Sequence, residues 1–76
     1  MNDIELTRLI KNLKWEIDLE KKTCKSELVH YRIIKKKKYV DLKSVWINPE
    51  IPPVMTVINE IQRGAVSALR EAMEKQ

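Results

Sequence analysis

Apolar residues recur at helical spacing through the first third of the chain. At about 100° per residue they fall in one stripe, formed by Leu6, Leu9, Ile10, Leu13 and Ile17. Asn2 or Asp3 can cap such a helix, and acidic side chains in the first turn suit the positive end of its dipole. The pattern therefore predicts a helix over about residues 3–22.

This helix would carry a second apolar patch almost opposite the first, formed by Ile4, Trp15 and Leu19. Two interpretations stay open. The aliphatic stems of neighbouring Lys and Arg side chains can cover Trp15, or the patch contacts another subunit or a partner. We include these three residues in a candidate protein interface.

A second stripe at helical spacing follows Pro52 and Pro53, and proline is favoured in a first helical turn. It contains Val54, Val57, Ile58, Ile61, Ala65, Ala68, Leu69 and Ala72. We expect a helix over about 53–74, after a Pro-rich connector over 48–53. Small residues around Gly64 permit a close approach of backbones, so we expect the two terminal helices to touch.

The middle of the chain is rich in β-branched and aromatic residues over 28–34 and 39–47, which favours two strands. A loop over Lys35–Lys38 would place Ile33 opposite Val40 and Arg32 opposite Asp41. A continuous helix is the alternative. It would put three acids into a seam that has to be apolar: Glu20, Glu27 and Asp41.

The two faces of this hairpin differ. In the register just described, Tyr31 and Trp46 point towards the helices, whereas Leu28 and Val45 point outwards. The outer face would then be half apolar. We therefore add Leu28 and Val45 to the candidate interface.

These elements predict one small domain, residues 1–76, of the α+β class. Its order is helix, strand, strand, helix, with a β-hairpin packed on two amphipathic helices. A two-stranded sheet is marginal by itself, and a chain of 76 residues has a small core. We therefore expect a homo-oligomer or a protein partner, with edge-to-edge strand pairing between copies as one arrangement.

Composition narrows the class of protein. No apolar run exceeds three residues, so we expect no membrane partner. One Cys and one His can form neither an internal disulfide nor a structural zinc site, and we expect no cofactor. A single cysteine without a secretory signal predicts a cytoplasmic protein.

Catalysis has little support in the sequence. Cys24 and His30 could in principle form a nucleophile and its base. The ordinary outcomes are a small buried thiol and a half-exposed ring. The carboxylates show no grouping beyond helical spacing, so we expect a protein that is not an enzyme.

Positive charge is concentrated in the middle of the chain. The formal net charge is +4, and residues 23–47 hold seven basic and two acidic side chains, a balance of +5. Four of the basic residues are consecutive, Lys35, Lys36, Lys37 and Lys38. Such a tip could bind phosphates, with Arg32 and Lys43 behind it and Tyr39 as a stacking surface. Alternatively the lysines only keep a loop solvated and a sheet edge from aggregating.

The sequence thus favours a small, regulatory, non-catalytic binding protein that presents a basic hairpin to a polyanion such as nucleic acid. The alternative is a protein–protein adaptor or inhibitor, of the kind that mobile elements encode. Its contacts would be the apolar patch of the first helix and the outer face of the sheet.

Overall fold

The computed structural model describes residues 2–75, which form two helices and a four-stranded antiparallel sheet. In chain order the elements are α1 (Asp3–Lys11), β1 (Glu16–Asp18), β2 (Thr23–Lys25), β3 (Val29–Lys35), β4 (Val40–Ile47) and α2 (Met55–Glu74). The strands lie in the order β1-β2-β3-β4. The predicted α+β class and its hairpin, β3–β4, are therefore confirmed, and the sheet is larger than expected.

The first helix ends at Lys11, so the predicted helix over 3–22 is wrong from Asn12 onwards. Residues 16–25 instead form a β-hairpin, with Ile17 opposite Cys24. The physical reason is a second periodicity, since apolar and polar residues also alternate strictly from Leu13 to Leu19. The strand places the odd-numbered apolar residues together against the core, whereas a helix would have separated them.

The hairpin of β3 and β4 forms in a register shifted by two residues from the predicted one. Ile33 lies opposite Leu42, and the Lys36 N–H donates to the Tyr39 carbonyl at 2.9 Å. The predicted Arg32–Asp41 pair is wrong, because Arg32 lies opposite Lys43. A shift of two residues does not by itself change the face on which a side chain lies, so the residues from Ile33 to Leu42 keep their predicted faces.

A β-bulge interrupts this register between His30 and Tyr31. Tyr31 lies opposite Ser44 and His30 lies opposite Trp46, so Val45 has no partner. One extra residue reverses the alternation of faces beyond it. The prediction that Trp46 faces the core is therefore wrong: it lies beside His30 on the outer face.

Leu28 is also placed differently from the prediction. It precedes β3 and is 2% exposed, whereas it was expected on the outer face. The buried Ser26 forms a tight turn here, because its hydroxyl accepts from the Leu28 and Val29 N–H groups and donates to the Val29 carbonyl. That turn directs Leu28 into the core.

The core lies between one face of the sheet and α2. From α2 it contains Ile61, Ala65 and Leu69, and from the sheet it contains Cys24, Val29, Tyr31, Ile33 and Leu42. The two helices touch, as predicted. The residue against Gly64, however, comes from the segment before β1: a Cβ at Gly64 would lie 3.4 Å from the Trp15 Nε1.

This spacing predicts that Gly64→Ala stabilises the protein. A Cβ fits beside the indole in van der Waals contact, and alanine removes the cost of a glycine inside a helix, about 0.5–1 kcal/mol. Urea unfolding should show a higher midpoint with an unchanged slope. Gly64→Leu is the control, because its larger side chain displaces Trp15 and should lower the midpoint.

Candidate nucleic-acid interface

The lysine run forms the tip of the β3–β4 hairpin. Lys35 is the last residue of β3, and Lys36, Lys37 and Lys38 form the turn with Tyr39. All four lysines are exposed, and the Tyr39 side chain is 63% exposed at the base of the tip. The turn thus presents its ammonium groups and one aromatic ring to solvent.

A second pair of lysines lies at the same end of the sheet. Lys21 and Lys22 are in the β1–β2 turn, and the Ile33 N–H donates to the Lys22 carbonyl at 2.8 Å. Because adjacent strands run antiparallel, this turn and the β3–β4 turn lie at the same end of the sheet. The sequence analysis missed these lysines, since it assigned them to the first helix. The turn signal was Asp18, whose carboxylate accepts from the Glu20 and Lys21 N–H groups.

Further basic residues form cross-strand rows on the outer face of the sheet. One row joins Thr23, Arg32 and Lys43, and the next joins Lys25, His30 and Trp46. Residues directly opposite each other on antiparallel strands share a face. Arg32 and Lys43 are exposed, and their like charges on adjacent strands raise the positive potential of this face.

Two aromatic rings lie together in the second row. The ring centroids of His30 and Trp46 are 4.8 Å apart at an interplanar angle of 45°, and Trp46 is 41% exposed. The sequence analysis did not identify Trp46 as a surface residue, because a bulge has no signature in this strand. The outer face therefore combines an open aromatic pair with neighbouring cations.

Acidic side chains do not neutralise the basic end. Within residues 2–75 the ion pairs are Glu60–Arg63 and Glu71–Lys75, both at exposed positions of α2 and its C-cap. The Asp18 and Asp41 carboxylates accept from backbone amides, in Asp41 from the Leu42 N–H at 2.9 Å, and Glu16 on β1 lies opposite Lys25, away from the lysine tip. The predicted anion-binding set, Arg32, Lys35–Lys38 and Lys43, is thus brought to one end and one face of the sheet.

The predicted protein interface is divided among several places. Ile4 and Val45 are 72% and 66% exposed, whereas Leu28 is buried. Trp15 and Leu19 are half-buried against the core, and Trp15 stacks on Tyr31 with ring centroids 6.0 Å apart. They do not share a helix face with Ile4, because α1 ends before them.

The Cys24–His30 pair considered above is separated by the sheet. Cys24 is fully buried opposite Tyr31 on the core face, whereas His30 is on the outer face. Burial raises the pKa of the Cys24 thiol to about 11, so it is not a thiolate at neutral pH. Residues 2–75 contain no group of three His, Cys, Asp or Glu side chains that could hold a metal ion.

Across the described part of the chain, neither helix has both the length and the apolar character needed to cross a membrane. Comparison of the chain with protein-family models, curated proteins and solved structures finds no match. Function must therefore be inferred from the surface chemistry of the chain itself.

The buried thiol predicts a loss of stability at alkaline pH. The pKa of Cys24 is raised from 9.0 to about 11 in the folded state, so the unfolded chain loses this proton first. The free energy of unfolding should be unaffected by this group below pH 9 and should fall as pH rises from 9 to 11. Burial also raises the pKa of Tyr31, which adds to the slope. In urea unfolding measured at several pH values, Cys24→Ala should reduce the slope of unfolding free energy against pH between 9 and 11. An unchanged slope would show that the Cys24 thiol does not cause the loss of stability.

Proposed function

We propose that this chain is a small, non-catalytic binding protein that presents a basic hairpin to nucleic acid. The observation that carries the proposal is the exposed lysine tip, continuous with a basic sheet face that holds the His30–Trp46 pair. The free, buried Cys24 fits a reducing compartment, and we place this function in the cytoplasm.

The lysines supply affinity for phosphate. Consecutive ammonium groups repel one another in the free protein, and binding a polyanion removes this repulsion while it releases counterions from the nucleic acid. Such contacts position a backbone without reading its sequence. Arg32 and Lys43 extend the same potential from the tip along the sheet.

The aromatic residues favour a single strand over a duplex. Trp46, His30 and Tyr39 present ring faces or edges to solvent, on which unpaired bases can stack. Bases within a duplex are already stacked and cannot reach these rings. We therefore expect several nucleotides to lie across β3 and β4, with their phosphates directed towards the basic residues.

The first prediction of this proposal concerns the tip. Lys36→Glu with Lys37→Glu should weaken binding of a fluorescent oligothymidylate at least about tenfold and reduce the slope of log affinity against log salt. The matched control is Lys11→Glu with Lys14→Glu, which changes the net charge equally at exposed positions in α1 and just after it. Equal losses in the two double variants would contradict a specific role of the tip.

A second prediction separates stacking from charge. Trp46→Ala should lower oligothymidylate affinity about five- to tenfold, because stacking on one aromatic side chain contributes roughly 1–3 kcal/mol per base. Heparin has no bases, so its salt-dependent retention of the protein should stay unchanged. Anisotropy titrations and heparin chromatography measure the two effects. A parallel loss in both assays would show that Trp46 acts through the fold.

An adaptor or inhibitor is the second candidate function, and one observation favours it. A cleft of about 490 Å³ lies between α1 and the start of α2, lined by apolar side chains that include Leu6, Ile10, Val54 and Val57. An apolar segment of a partner could occupy it. If the Lys36/Lys37 double variant binds both oligonucleotide and heparin as the unmodified chain does, this function replaces the first.

A further inference from the structure

The sheet has one long uncovered edge. β4 is the last strand of the sheet and runs over eight residues, whereas β1 at the other edge has three. Asp41, Lys43 and Ser44 are exposed along β4. An edge strand presents unpaired N–H and C=O groups, so β4 is a template to which another strand can add.

The register identifies which backbone groups of β4 face this open edge. In an antiparallel pair, backbone groups alternate between facing the partner strand and facing away. Lys36 bonds to Tyr39 across the turn, so along β4 the groups of Asp41 and Lys43 face β3. The backbone N–H and C=O groups of Val40, Leu42 and Ser44 therefore face the open edge of the sheet. The Leu42 N–H confirms this, because its acceptor is the Asp41 carboxylate and not β3.

We propose that two copies of this chain pair antiparallel through β4, about a two-fold axis at Leu42. In this register Leu42 pairs with Leu42 of the second copy, and Val40 pairs with Ser44. All the outward backbone groups from Val40 to Ser44 then have partners, giving about six interchain hydrogen bonds. The sheet becomes continuous across the two copies.

Charge selects this register over its neighbours. An axis at Asp41 would place two carboxylates opposite each other, and an axis at Lys43 would place two ammonium groups opposite each other. An axis at Leu42 places each Asp41 opposite the Lys43 of the second copy, on the outer face. In the dimer the Asp41 carboxylate gives up its hydrogen bond with the Leu42 N–H and forms an ion pair with this lysine. The Leu42 amide is then free for the interchain hydrogen bond.

The remaining features of β4 fit the same arrangement. The bulge at Val45 lies just beyond the paired segment, so it limits pairing to the residues before it. The two lysine tips project at opposite ends of the joined sheet, where their charges are far apart.

Charge reversal tests the register in the full chain. Light scattering at about 100 µM protein should give twice the 9.0 kDa mass of one chain. A concentration of this order is needed because a small interface associates weakly. Asp41→Lys alone and Lys43→Asp alone should each raise the dimer dissociation constant at least about tenfold, because each creates two like-charge contacts. Lys14→Asp makes the same change of net charge as Lys43→Asp at an exposed position outside β4, and it should leave the dimer intact.

Mixing the two single variants provides the decisive measurement. The Asp41→Lys chain and the Lys43→Asp chain complement each other, so an equimolar mixture should recover the dimer mass that each chain alone has lost. This recovery also shows that neither variant is misfolded. A monomeric unmodified chain, single variants that keep their dimer mass, or a mixture that stays monomeric would each overturn the proposal.

Discussion

The stacking of Trp15 on Tyr31 beneath α2 is the contact on which the rest of the structure depends. The indole joins three parts of the chain, because it precedes β1, lies against the central strand β3 and reaches Gly64 in α2. Aromatic pairs bury a large apolar area and add a preference for defined geometry. In a core formed mainly by α2 and one sheet face, this contact fixes where the short hairpin of β1 and β2 can attach.

The hairpin of β3 and β4 could be predicted because its helical alternative places three acids in an apolar seam. The C-terminal helix could be predicted because its apolar residues recur only at helical spacing. The segment after Lys11 has two periodicities. Leu13 and Ile17 continue a helical stripe, whereas Leu13, Trp15 and Ile17 also alternate as a strand. Local pattern does not decide between them. The choice depends on a tertiary partner for Trp15, and that partner is distant in sequence.

The register and the bulge explain why the predicted pairing of β4 and the predicted face of Trp46 were wrong. Two registers that differ by two residues bury the same side chains, so hydrophobic pattern alone cannot distinguish them. The loop over Lys35–Lys38 contains no residue that requires a particular turn. The lysine tip was nevertheless identified, because its exposure is the same in both registers. Trp46 was not, because its face depends on a single unpaired residue, Val45.

The bulge at Val45 holds one extra residue of β4 while the pairs on either side of it keep their places. Loss of Val45 would restore strict alternation along the strand, with Ser44 still opposite Tyr31 and Trp46 still opposite His30. A single in-frame codon deletion at this point would therefore leave the chemistry of the outer face unchanged, so this strand can vary in length without losing its aromatic surface.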